Sequence, residues 1–472
     1  MRYWLRNLKG YQRTEVLDDA QVKGRKIGTL GYTRGGIFAV FVFLCLGYAG
    51  YVSIQLILNT VLPKLFFNEG ANNKTIAFFI TTMPYIINMV LTPILSFQSD
   101  RTRTRFGRRM PYLIVTTPLI ALFGCLLGWY AWIGNGINEI LPPAFSGCGK
   151  LVILGGLSIV YQILFMVPST VFWYLFPDVV PSGFIGRLMA YFHLIGSAMG
   201  WILNTFFLKF AENHVGWLFT LVALFFLVCM SIMIAEIREG DYPPPPETGK
   251  GDSIAETIVD SVRVYCRECY SIGFYYWFFL TMALSEISMV CRNMYNMIYA
   301  TESLGISTES YGYIMGWTGV VGLVLSLPLG YLCDKFNALK VFALGLILVI
   351  LVNLGSFYLV KDEQTFFITA ILLAIVYSIQ MVATIPVFVM ILPKSLYGQF
   401  SSANALFRAF FMAIAGFGGG ALLDIVGDYQ YIYLWDFIFT FAALCTFTGL
   451  YISWKRRGGK QFYVAPMVEI EK

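Results

Sequence analysis

Apolar residues in this chain come in continuous runs of roughly 20–30, separated by short polar stretches, and not in alternating or narrow-stripe patterns. The runs fall at 36–62, 76–98, 111–134, 151–176, 188–210, 217–237, 273–299, 311–333, 340–360, 366–393, 401–427 and 431–454. Each is long enough to cross a hydrocarbon layer of about 30 Å. Inside lipid every backbone donor must be satisfied within its own segment, which predicts helices. A β-barrel would instead alternate over about 10 residues at a time. The reading is an all-α membrane protein with twelve transmembrane helices. Composition agrees: of 472 residues 58% are hydrophobic and 13% charged, against about 25% charged in soluble domains.

The polar intervals divide the chain into an N-terminal tail (1–35), a six-helix bundle (36–237), a linker (238–272), a second six-helix bundle (273–454) and a C-terminal tail (455–472). The linker opens on a proline run, Pro243–Pro246, which favours a semi-rigid tether. It continues with Ile254, Ile258, Val262 and Tyr265 at helical spacing, predicting an amphipathic helix on the membrane surface. The tail lacks the apolar core of a cleaved signal peptide, so the first span is expected to act as its own insertion signal. Of the 33 Lys and Arg, 26 lie in the tails, the linker and the loops 2–3, 4–5, 8–9 and 10–11. Five (Lys64, Lys74, Lys150, Lys209 and Lys361) lie on the other side. By the positive-inside rule both termini face the cytoplasm, in a plasma or inner membrane. The net charge of +6 thus reads as orientation, and no nucleic-acid partner is implied.

The halves echo one another. Tyr161, Pro177 and Gly200 recur 216 positions later as Tyr377, Pro393 and Gly416, and Asp100 recurs 234 later as Asp334. A duplicated six-helix unit is a plan used for alternating access.

Between the second and third runs the chain reads Ser-Asp-Arg-Thr-Arg-Thr-Arg-Phe-Gly-Arg-Arg, residues 99–109. Orientation alone explains the basic charge, but not Asp100 or Gly107. An acid at a helix end can pair with arginines or a neighbouring helix N-terminus, and glycine permits a tight reversal. This loop resembles the motif between spans 2 and 3 of the major facilitator superfamily, in the form found in glycoside–pentoside–hexuronide:cation symporters and their sucrose-transporter-like relatives. Arg105, Gly107, Arg108 and Arg109 match its core, and residues 330–340, with Asp334 and Lys335, resemble a degenerate second copy. The resemblance implies two pseudo-symmetric bundles of the major facilitator fold, working as a secondary transporter for uptake of a sugar or glycoside driven by H+ or Na+. It also implies a conformational gate at Asp100, Arg101, Arg105, Gly107, Arg108, Arg109, Asp334 and Lys335. Arg187 and Arg408 are expected to join it, Arg408 by snorkelling or pairing with Asp100. Such symporters carry acidic cation ligands in the first bundle, whereas runs 1, 2 and 4 here have no Asp or Glu in their centres.

That directs attention to Glu286, in the middle of run 7, because a carboxylate at membrane depth costs several kcal/mol (roughly 3 or more) unless paired, protonated or hydrated. Arg292 lies nearly two turns further along the same helix. Glu286 and His193 are the ion-coupling candidates; His193 has the alternative of a hydrogen-bonded packing role. Asp424 and Asp436, near span ends, are expected to reach water and serve an interface or gate. A sugar needs amide or acidic partners and an aromatic platform, which Gln55, Asn59, Tyr85, Asn88, Tyr161, Gln162, Glu286, Arg292, Asn293, Asn296, Tyr377 and Gln380 offer. Each has the competing role of bridging or packing helices.

Enzyme signatures are missing: there is no phosphate-binding glycine loop, HExxH or nucleophile elbow. Two histidines and a lone Cys266–Cys269 pair make no metal site, so no cofactor is expected. The expected partners are a small solute, a coupling cation and the bilayer, with the chain as a monomer. The alternatives are uniport, another small polar solute, or a membrane sensor on the same fold.

Overall fold

The computed structural model describes residues 11–13, 26–27, 29–139, 149–241, 259, 263, 265–393 and 396–466. Most of the amphipathic segment 254–265 therefore lies outside the described residues. Helices follow the apolar runs. α1 is Arg34–Asn68. α2 passes from Asn73–Ala77 through a π-helical turn, Phe78–Thr82, into Met83–Arg101. α3 is Met110–Gly128 and α4 Gly149–Val179. α5 (Ser182–Ile202) continues through π-helical Leu203–Phe207 into α6 (Leu208–Glu236), and the break between the two spans falls at His214. α7 is Gly273–Ser288, prolonged by Val290–Ile298. Then come α8 (Thr308–Phe336), α9 (Ala338–Leu359), α10 (Glu363–Ile391), α11 (Tyr397–Val426) and α12 (Tyr431–Arg456).

Ten of these helical runs are long and apolar enough to cross a membrane. One of the ten, Gly183–Glu236, holds two spans, and α8 completes the twelve. The chain is an integral, multi-pass membrane protein. The π-helical turn in α2 has a local cause: Pro84, two residues beyond its end, lacks the N–H a regular turn would use.

The chain forms two compact units. The first comprises Met1–Leu58, Val90–Leu203 and Phe210–Gly251. Small residues set its packing: a Cβ on Gly50 would lie 2.9 Å from Cys229, and one on Gly128 2.5 Å from Phe219, so α6 lies close to both α1 and α3. Its interior is aromatic. Tyr48 stacks on Phe192 with ring centroids 4.4 Å apart, Tyr51 on Phe165 at 5.2 Å, and Tyr161 on Phe165 at 5.9 Å. The N-terminal tail, whose sequence shows only polar, basic character, contributes a small antiparallel sheet. β1 (Tyr11–Arg13) and β2 (Lys26–Ile27) flank β3 (Leu30–Tyr32) in the order β1-β3-β2. Tyr32 is buried and donates its hydroxyl to the Val179 carbonyl at 2.7 Å, fastening the sheet to the end of α4.

The second unit comprises Asn59–Met89, Asn204–Lys209 and Asp252–Lys472. It thus takes in the end of α1 and the first part of α2, which the hydropathy pattern groups with the 36–237 bundle. Glycine explains the intimacy. A Cβ on Gly416 would lie 2.6 Å from Thr81, and one on Gly420 2.8 Å from Ala77. Thr82 donates to the Ala413 carbonyl at 2.8 Å. Side chains larger than glycine on this stripe of α11 would push α2 away.

Candidate functional site

Within the second unit, charged side chains from separate helices meet at two nodes. At the first, Glu286 of α7 accepts a hydrogen bond from the Tyr85 hydroxyl of α2 at 3.1 Å. Arg408 of α11 brings Nη1 to 2.8 Å from Glu286 Oε2. That contact is an ion pair without hydrogen-bond alignment: Glu286 Oε2 and Arg408 Nε both keep buried, unspent hydrogen-bonding capacity. The two side chains are 32% and 35% exposed, so the node is open. Arg408, expected to snorkel or to pair with Asp100, has Glu286 within ion-pair distance.

The second node is closed. Asp436 of α12 is 0% exposed. It accepts from Arg292 Nε at 3.1 Å, and the Tyr377 hydroxyl of α10 stands 2.5 Å from both of its oxygens. Thr440 lies one turn along at 3.3 Å. The Arg292 guanidinium sits over the Tyr377 ring, 4.4 Å from its centroid. The expectation that Asp436 reaches water from the end of its span is corrected too. It cannot, because α12 begins at Tyr431 and turns this residue inward against α7 and α10. Nor do Glu286 and Arg292 pair with one another, despite sharing α7; each is matched from another helix. Arg292 Nη2, Gln380 Oε1, Ser285 Oγ and Asn404 Oδ1 are buried without hydrogen-bond partners.

The other solute candidates are dispersed. Asn296 donates to the Tyr311 hydroxyl at 3.4 Å, and Asn293 is exposed. Asn59 is exposed, while Gln55, Asn88 and Gln162 are half-buried. In the first unit Tyr161 is 1% exposed, and its hydroxyl has no hydrogen-bond partner. His193 is exposed on α5, outside both nodes.

At the 2–3 loop the first unit holds a third cluster. Arg108 forms a two-pronged bond to Asp178 at the end of α4, Nε to Oδ2 at 3.0 Å and Nη2 to Oδ1 at 2.5 Å. Arg109 reaches Asp178 at 3.4 Å and also bonds Ser99. Gly107 has φ +112°, and Thr104 and Gly107 exchange backbone hydrogen bonds across the reversal. Glu239, at the start of the linker, accepts from the backbone N–H groups of Arg108, Arg109 and Met110 at 3.0, 2.8 and 2.8 Å. The carboxylate sits on the N-terminus of α3, where unpaired amides and the helix dipole favour negative charge. Arg105 lies over the Phe106 ring at 4.6 Å, and Arg187, exposed, over Phe184 at 5.3 Å. Lys335 lies over Phe336 at 5.5 Å. Arg101 ends α2. The side chains of Asp100 and Asp334 lie outside what the structure describes.

The second unit has a counterpart. Asp424 of α11 accepts from the backbone N–H groups of Asn73 and Lys74 at 2.8 and 3.1 Å, capping the start of α2. Tyr295 and Tyr429 bond the Asn73 carbonyl and side chain at 2.7 and 2.9 Å. Lys64 pairs with Glu302.

Residues 287–461 match the model of the Major Facilitator Superfamily. Over that stretch the chain is similar to the Major Facilitator Superfamily. Over 221 residues it is 24% identical to solute carrier family 45 member 3 of Mus musculus, a match covering 45% of this chain and 38% of that relative. The chain thus spans well under half the length of the curated relative it matches. Among solved structures, a mutant of the nucleoside transporter NupG superposes with TM-score 0.63 at 9% identity, over 87% of this chain and 100% of that one. A D-xylose–proton symporter superposes with TM-score 0.59 at 14% identity, over 91% and 98%. These solved neighbours are transporters, and this chain shares their fold.

Two residues of the cluster at the 2–3 loop, Asp178 and Glu239, carry no mark in the sequence that singles them out. Asp178 is within reach of inference, since it ends span 4 on the side of the basic loop. Glu239 is hidden in a linker whose proline run suggests only a tether.

Proposed function

We propose that this protein is a secondary transporter that moves a small polar solute, of the sugar or glycoside class, by alternating access coupled to H+ or Na+. One observation carries the reading. Inside membrane-spanning helices of the second unit, Glu286, Arg408 and Arg292 are held in ion pairs that leave hydrogen-bonding atoms unspent. Ion pairs at membrane depth are costly and give little net stability, so their retention favours work on a ligand. Sugar hydroxyls both donate and accept, and would use Glu286 Oε2 and Arg408 Nε together. The D-xylose–proton neighbour adds support for the solute class.

Coupling is assigned to Glu286. In the ionised form it holds Arg408 and accepts from Tyr85; a proton on it would release Arg408 and free the α7–α11 contact. The clasps at Glu239 and Asp424 are the two gates, cytoplasmic and outer, with the termini in the cytoplasm of the plasma or inner membrane. The bundles 36–237 and 273–454 move about the site, and the chain works as a monomer.

The test is solute counterflow and uphill uptake in proteoliposomes against a sugar panel. Glu286→Gln should keep counterflow and lose accumulation driven by a pH or sodium gradient. If it accumulates solute like the parent, the coupling assignment is wrong. Uptake indifferent to both gradients in the parent would instead favour uniport. Binding without counterflow would point to a sensor.

A further inference from the structure

The first unit contains a cavity of about 740 Å³ between the 2–3 loop, the end of α6, the start of the linker and β3. We infer that it binds the headgroup phosphate of an anionic phospholipid. Its wall carries Arg103, Arg105 and Arg238. The neighbouring clasp is built from other groups. Arg108 and Arg109 are the arginines bonded to Asp178, and the Glu239 carboxylate accepts from three backbone amides. Asp241 is the other acid on the wall, so positive charge prevails there. Arg105 and Arg238 line the cavity and are exposed.

The rest of the lining tells a lipid from a soluble anion. Ile114 of α3 and Ile234 of α6 form an apolar floor. Ile114 is 37% exposed. On a membrane-spanning helix an exposed isoleucine suits an acyl chain. Phe106, 50% exposed, stands beside Arg105. A soluble phosphate would use the arginines and leave the apolar floor idle. A phospholipid uses both, with phosphate at the guanidiniums and glycerol and first acyl carbons on the isoleucines. Bound there, it would tie the gating loop to the linker and to β3.

The test uses the full-length chain, delipidated in neutral detergent, with thermal unfolding followed by tryptophan fluorescence. Phosphatidylglycerol should raise the midpoint by about 5 °C at saturation. Phosphatidylcholine and inorganic phosphate, at matched concentration, should leave it within about 1 °C. Arg105→Ala/Arg238→Ala should need roughly thirtyfold more phosphatidylglycerol for half the effect, while Lys340→Ala, an exposed lysine of the second unit, should behave like the parent. If the alanine pair is not monodisperse, Arg105→Gln/Arg238→Gln keeps the stems and is read in its place. An unchanged response in the double variant overturns the inference, and so does an equal response to phosphatidylcholine. A full response to inorganic phosphate alone identifies a soluble-anion site and overturns the lipid.

Discussion

Both units seat a carboxylate on the N-terminus of a helix distant in sequence, but they part ways in the interior. In the first, Glu239 caps α3, and the ion pairs seen among the described residues, Arg108 and Arg109 with Asp178, lie at helix ends. Its core is a stack of Tyr48, Tyr51, Phe165 and Phe192. In the second, Asp424 caps α2, and two further ion pairs sit within the spans. Charge at a helix end is cheap, because the dipole and water help to carry it. Charge in a span must be compensated by geometry alone. The first unit therefore uses charge to fasten its ends, and the second also holds charge within its spans.

The sharpest way to break this contrast is at Asp436. Asp436→Ala leaves Arg292 buried without its counter-charge and should cost about 3–5 kcal/mol, read as loss of monodisperse protein and a lower melting midpoint. Asp436→Leu with Arg292→Met removes both charges and should recover most of that loss. If the double variant is as unstable as the single one, the pair is a packing element whose charge is incidental.

The clasp of the first unit should show a middling effect. Glu239→Ala removes the acceptor for three amides and should cost about 1–2 kcal/mol. Glu239→Gln keeps an acceptor and loses the charge, and should fall between parent and alanine variant. Equal melting midpoints for all three would deny Glu239 its capping role.

The sequence displays these regions unequally. Twelve spans and the loop around Gly107 are legible because lipid imposes run length and orientation imposes basic charge, and both are local signals. Glu286 stands out for the same reason: one charge in an apolar run needs no partner to be noticed. Pairing is not legible. Arg292 meets Asp436 across 144 residues and Glu286 meets Tyr85 across 201, and no spacing rule reaches that far. Asp436 is easily misplaced because nearness to a span end says nothing about the face of the helix it occupies. The capture of α2's start by the second unit depends on the glycine stripe of α11, whose members are visible in the sequence but whose partner is not.

The smallest expected effect bears on whether the aromatic interior of the first unit is only scaffold. Tyr161 is buried, stacks on Phe165, and has a hydroxyl without a hydrogen-bond partner. A buried hydroxyl that bonds nothing gives no stability, so Tyr161→Phe should leave the melting midpoint unchanged to within about 0.5 kcal/mol, or raise it slightly. Transport is where the two units can be told apart. A single neutral hydrogen bond to solute is worth about 1 kcal/mol, so its loss should raise the half-saturation concentration for uptake about fivefold while stability stays fixed. A rise of that size would make Tyr161 a solute contact supplied by the first unit. Unchanged uptake would leave solute handling to the charged nodes of the second unit.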